Sequence, residues 1–91
     1  MSSKKLIIIA NPCSGKAKIK NDLLKIVQIF SQADYDVTVY PTKSRGDATQ
    51  KAASLKEGEF DRIVICGGDG TLNEVITGVM QSNIRCTIGY I

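Results

Sequence analysis

The amino-acid sequence predicts an α/β fold, a parallel sheet covered on both faces by helices. Short β-branched runs alternate along the chain with stretches of helical apolar spacing, and the connections between them are short. Parallel strands require such intervening helices, because each crossover must carry the chain back to the starting edge. The first run, Leu6-Ile7-Ile8-Ile9-Ala10, is continuous rather than alternating, as in a strand buried on both faces.

Asn11-Pro12 stops that first strand. From Ile19 the apolar residues recur as Ile19, Leu23, Ile26, Val27 and Phe30, the spacing of a helix that packs one stripe onto a core and ends near Ala33. Val37-Thr38-Val39-Tyr40 forms a second strand closed by Pro41, and Ala48, Ala52 and Leu55 mark a weaker second helix terminated by Gly58. Ile63-Val64-Ile65-Cys66 repeats the buried-strand pattern. Leu72, Val75, Ile76 and Val79 then lie at i, i+3, i+4 and i+7 of a third helix, and Thr87-Ile88-Gly89-Tyr90-Ile91 makes a fourth strand at the chain end. No linker or low-complexity segment divides the chain, so its 91 residues are expected to form one domain.

Composition narrows the function classes. The chain is 43% hydrophobic and 23% charged, with a net charge of +3. That mild excess suits anionic ligands, but the cations form no continuous block interleaved with aromatics, so nucleic acid is not an expected partner. Cys13, Cys66 and Cys86 are widely spaced, and the chain has no histidine. They read as free thiols in a reducing cytosol rather than zinc ligands or a histidine-activated nucleophile. The first apolar run is too short for a membrane span or an ordinary signal segment, so a soluble, cytoplasmic protein is expected.

In parallel sheets ligands bind beyond the carboxyl ends of the strands. Three loops, Asn11 to Lys16, Thr42 to Gly46 and Gly67 to Thr71, each follow a predicted strand and are expected to open on one edge. Gly67, Gly68 and Gly70 allow positive φ and let backbone N–H groups approach phosphate at the start of the third helix. Asp69 among them would repel a bare phosphate and suits a hydroxyl, a magnesium ion or water on that ion. An alternative is purely structural: Thr71 and Glu74 have capping-box spacing, and the glycines make a tight turn. A dinucleotide fingerprint fails because Asn73 stands where its third glycine or alanine belongs.

In Asn11-Pro12-Cys13-Ser14-Gly15-Lys16, Ser14 can donate to a phosphate, Gly15 admits close approach and Lys16 adds charge, unless the segment is only a turn. It is not a P-loop, since Ala17 replaces the metal-binding Ser or Thr. Lys18 and Lys20 read as a solvated helix face. In the loop after the second strand Thr42 is recommended by position, while Ser44 and Asp47 could be ordinary caps of the second helix.

Together, NPCSGK after the first strand, T-x-x-x-G-D-A after the second and GGDGTLNEV-x-x-G at residues 67 to 78 resemble the diacylglycerol kinase catalytic-domain family, which includes bacterial lipid kinases and sphingosine kinases. The resemblance covers almost the whole chain. GGDGT alone is also found in NAD kinases and phosphofructokinases; the NPxSG start and LNEV continuation favour lipid kinases. It implies a three-layer, Rossmann-like lobe that binds ATP through Asn11, Ser14, Gly15, Thr42, Gly67, Gly68, Asp69, Gly70, Thr71 and Asn73, with Glu74 a weaker candidate. Asp69 would contact magnesium indirectly, through water or the nucleotide. The acceptor would be a lipid hydroxyl, with peripheral membrane contact in the longer protein.

The family continues past a segment like Ile88-Gly89-Tyr90-Ile91 with a P-x-G-T-x-N-D stretch and a β-rich second domain that supplies lipid contacts and the proposed general base. Residues 1–91 are therefore expected to be the nucleotide-binding part of a longer protein, with negligible kinase activity alone and an apolar edge that favours self-association. The competing readings are a lobe of an NAD kinase-like enzyme, a non-catalytic nucleotide-binding module and a purely structural domain.

Overall fold

The computed structural model describes residues 4–12 and 17–91, with the side chains of 17–21 excepted. The order is β1 (Lys4–Ala10), α1 (Ala17–Gln32), β2 (Tyr35–Pro41), α2 (Asp47–Ala53), β3 (Arg62–Cys66), α3 (Asp69–Ser82) and β4 (Thr87–Tyr90). The strands form one sheet in the order β2-β1-β3-β4, and all three pairings are parallel.

The uninterrupted apolar run of β1 is explained by its neighbours. Leu6, Ile8 and Ala10 join Val64 and Cys66 against the α1 stripe of Leu23, Ile26, Val27 and Phe30. Ile7 and Ile9 face the opposite way, joining Ile63, Ile65, Ala48, Ala52, Leu55 and Val75. Both faces are thus covered, giving three layers with α1 on one side and α2 and α3 on the other. The chain leaves β1 toward β2, then returns past β1 to β3 and onward to β4. With right-handed crossovers, that reversal places α1 opposite the other two helices.

Several boundaries differ from expectation for local reasons. β2 begins at Tyr35 and includes Pro41, paired with Ala10; an edge position tolerates a residue without an N–H. The helix of α2 stops at Ala53, well before Gly58. Its last turn tightens, with the Ser54 N–H donating to Gln50 and Lys51 and that of Leu55 to Ala52, while the Ser54 hydroxyl donates to the Lys51 carbonyl at 2.7 Å. Leu55 is buried nonetheless. α3 ends at its C-cap Asn83, whose N–H still bonds the Val79 carbonyl and whose left-handed φ of 58° then turns the chain out of the helix.

α3 packs on α2 through Gly78. A Cβ built there would lie 2.4 Å from the Thr49 carbonyl oxygen and 2.6 Å from the Ala52 Cβ. This close crossing centres the buried face on Thr71, Val75 and Gly78, leaving Ile76 exposed rather than part of the core stripe. Cys66 and Cys86 are free thiols, and burial pushes both above the usual thiol range.

Candidate nucleotide site at the carboxyl end of the sheet

The hydrogen-bond ladder runs past the ends of the strands and sets the first site residues. The Asn11 N–H donates to the Cys66 carbonyl at 2.9 Å, and the Thr42 N–H to the Ala10 carbonyl at 2.8 Å. The direction of strand succession reverses between β1 and β3, where a sheet of this kind opens a crevice. The Asn11 side-chain amide bridges that crevice, donating to Thr71 Oγ1 at 3.4 Å. Thr71 is only 6% exposed, so this contact gives a partner to a buried hydroxyl.

The glycines act differently from expectation. None of Gly67, Gly68 and Gly70 has positive φ; among the described glycines that conformation belongs to Gly46 and Gly58. Gly67 is required by space, since a Cβ there would lie 2.8 Å from Thr71 Oγ1 and 3.3 Å from the Asn11 Cβ. Gly68 is the N-cap of α3, and Asp69, Gly70 and Thr71 are already helical. The first helical bond runs from the Leu72 N–H to the Gly68 carbonyl. The N–H groups of Asp69, Gly70 and Thr71 therefore lack acceptors within the helix. At Gly68 and Gly70 a Cβ would meet nothing within 4 Å, so the helix start is open to an approaching anion.

The capping-box alternative is not realised. No side chain caps the start of α3, and Thr71 sits inside the first turn facing Asn11. Glu74 instead crosses to the neighbouring loop: its Oε1 accepts the Gly46 N–H at 3.1 Å, and its carbonyl accepts the Thr49 hydroxyl at 2.9 Å. The capping reading of Ser44 and Asp47 also fails, because Gly46 occupies the N-cap of α2 in a left-handed conformation without a side-chain cap. Asp47 turns back on the loop, accepting the Tyr40 hydroxyl at 2.7 Å and the Lys43 N–H at 2.8 Å. The Tyr40 bond, then the Lys43 bond, hold its carboxyl below the usual carboxylate range.

These contacts enclose a cavity of about 240 Å³ lined by Asn11, Thr42, Gly70, Thr71 and Glu74, together with Lys43, Ser44, Arg45 and Ala48. The predicted convergence of strand-end loops therefore holds for the second and third loops and for Asn11. Ser14 and Gly15, with Cys13 and Lys16, lie outside the described residues, as do the side chains of Lys18 and Lys20. Gly67 and Gly68 are not among the lining residues. Asn73 is exposed and away from the cavity lining. Asp69 also stands outside that lining, with its Oδ1 3.4 Å from the Tyr90 hydroxyl.

Sequence reasoning missed Lys43 and Arg45. Their available signal was two cations beside Thr42, in a loop already placed on the binding edge. With Glu74 the one carboxylate among the described lining residues, that wall carries an excess of positive charge and favours an anion. Among the described residues no group of three or more Cys, Asp and Glu side chains is arranged to hold a metal ion. No helix among them is long and apolar enough to cross a membrane.

Residues 5–91 match the family model of the diacylglycerol kinase catalytic domain. A diacylglycerol kinase of Bacillus subtilis (strain 168) is 42% identical over 88 residues, covering 97% of this chain and 29% of that protein. One from Staphylococcus saprophyticus is 40% identical over 97% of this chain and 29% of its own length. A solved structure of a putative diacylglycerol kinase from Bacillus anthracis str. Sterne superposes on the whole chain with a TM-score of 0.83 and 33% identity, the match covering 33% of that structure. The chain thus spans about a third or less of the proteins it resembles.

Proposed function

The chain belongs to the diacylglycerol kinase catalytic-domain family, and from that membership we propose that it forms the nucleotide-binding part of a lipid kinase. The reaction is transfer of the γ-phosphoryl group of ATP to a lipid hydroxyl of the diacylglycerol type. The observation that carries this reading is the meeting of Asn11, Thr42, Gly70 and Thr71 around one cavity with a cationic rim.

Phosphoryl transfer depends chiefly on positioning and on neutralising charge on the phosphates. The open N–H groups at the start of α3 suit one phosphate, and Lys43 and Arg45 supply charge from the facing loop. Thr42 and Asn11 offer neutral donors. Magnesium enters as part of the magnesium–ATP substrate, and no step is assigned to protein-held metal.

Glu74 is occupied with the Gly46 N–H, and among the described residues the cavity lining contains no other carboxylate to serve as a base. Acceptor activation and lipid binding are assigned to further parts of a longer protein, and this chain alone is expected to have negligible kinase activity. The test is calorimetric titration of the purified chain with magnesium–ATP. Saturable binding that weakens about tenfold or more in Thr71→Val supports the reading, whereas absence of binding, or rapid phosphorylation of diacylglycerol by the chain alone, contradicts it.

A further inference from the structure

Tyr90 ends β4 in register with Ile65 of β3, a register held by the Ile91 N–H donating to the Ile65 carbonyl at 2.9 Å. Ile65 faces the α2 and α3 layer, and laterally paired residues of a sheet share a face. The Tyr90 side chain therefore lies on the α3 side. The residue is 46% exposed, so apolar burial alone does not account for its placement. Its hydroxyl lies 3.3 Å from the Gly67 carbonyl oxygen and 3.4 Å from Asp69 Oδ1. One proton serves two acceptors, of which the charged carboxylate is the stronger. A phenol is protonated at neutral pH and can donate, and partial burial, then the Asp69 charge and hydrogen bond, push it further above its ordinary value.

Asp69 is an awkward neighbour for an anion site. It occupies the first turn of α3, yet Gly70 and Thr71 line the cavity and Asp69 does not. A carboxylate swung across the helix start would meet an incoming phosphate with like charge and compete for the same N–H groups. We infer that Tyr90 is a positioning residue that tethers the Asp69 carboxylate on the β4 side, keeping the N-terminus of α3 open to a phosphate in the cavity. The inference rests on the nucleotide reading above and concerns how that site excludes its own acid.

The experiment titrates ATP into the wild-type chain, Tyr90→Phe, Asp69→Asn and the double variant, each once with a chelator and once with magnesium. Tyr90→Phe is expected to weaken metal-free ATP binding by about three- to tenfold. The loss should shrink in magnesium, where a cation between carboxylate and phosphate relieves the repulsion. In the Asp69→Asn background Tyr90→Phe should change neither affinity. Equal losses with and without magnesium, persisting in that background, identify a packing role and overturn the inference while leaving the nucleotide reading intact. No ATP binding by the wild type overturns both. Asp69→Asn alone supplies an independent arm should Tyr90→Phe unfold: metal-free binding must tighten, and a loss contradicts the proposal.

Discussion

Replacing Gly78 by alanine tests whether the α2–α3 crossing sets the architecture of the site. Gly78 is buried within α3, and an added Cβ would stand 2.4 Å from the Thr49 carbonyl oxygen, 2.6 Å from the Ala52 Cβ and 2.9 Å from the Ala53 nitrogen. Two of these atoms are backbone, so no rotamer change relieves them; α2 must retreat by about 1 Å to restore ordinary contact. Overpacking of this kind costs about 3 kcal/mol at the upper end of its usual range. The same substitution in a free helix gains about 1 kcal/mol from propensity, leaving a net loss of about 2 kcal/mol. For a domain of this size that lowers the melting temperature by about 8 to 16 °C. Urea denaturation should show a lower midpoint with an unchanged slope. The retreat also pulls the Thr49 and Gly46 bonds away from Glu74, so nucleotide affinity should fall with stability. A Gly78→Ala chain as stable as wild type would refute the reasoning, because propensity alone would then govern the position.

Gly70→Ala makes the converse prediction: its Cβ meets no protein atom within 4 Å, so thermal unfolding should be unchanged or slightly raised, while calorimetry shows weaker ATP binding. Asp47 gives a pH signature. Its folded carboxyl is held below the usual range by Tyr40 and Lys43, so its stabilising contribution is present above the ordinary carboxylate value and is lost as pH falls toward the depressed one. Acid unfolding profiles of Asp47→Asn should therefore be flatter than wild type across that window; parallel profiles would count against the bond network. Ile88 and Tyr90 are exposed on the outer strand β4 and Ile91 just beyond it, and self-association through that edge is expected. Sedimentation should reveal concentration-dependent assembly that Ile88→Lys diminishes, and a monomer at all concentrations would count against it.

The local periodicities were legible because backbone geometry turns them into faces. The unbroken Leu6–Ala10 run announced a strand covered on both sides, and Leu23, Ile26, Val27 and Phe30 of the predicted stripe pack from α1, the Ile19 side chain lying outside the described residues. Parallel topology then placed Asn11, Thr42 and Gly70-Thr71 at one end of the sheet without any side-chain geometry. Family motifs pointed to the same positions, although Asn73 faces away from the cavity, since one step along a helix turns a side chain by about 100°.

The sequence by itself determined the strand and helix order, the three-layer class and the edge on which the loops open, because each follows from local spacing and short-range chain geometry. Tertiary structure decided what individual residues do there. Thr71 and Glu74 carry the spacing of a capping box, yet one meets Asn11 and the other Gly46 across the crossing of α2 and α3. Gly67 is required by the nearness of Thr71 rather than by its own φ, and Tyr90 reaches Asp69 only through the register of β4 on β3. Such contacts join residues far apart in the chain, and which of them form depends on how closely whole elements approach one another.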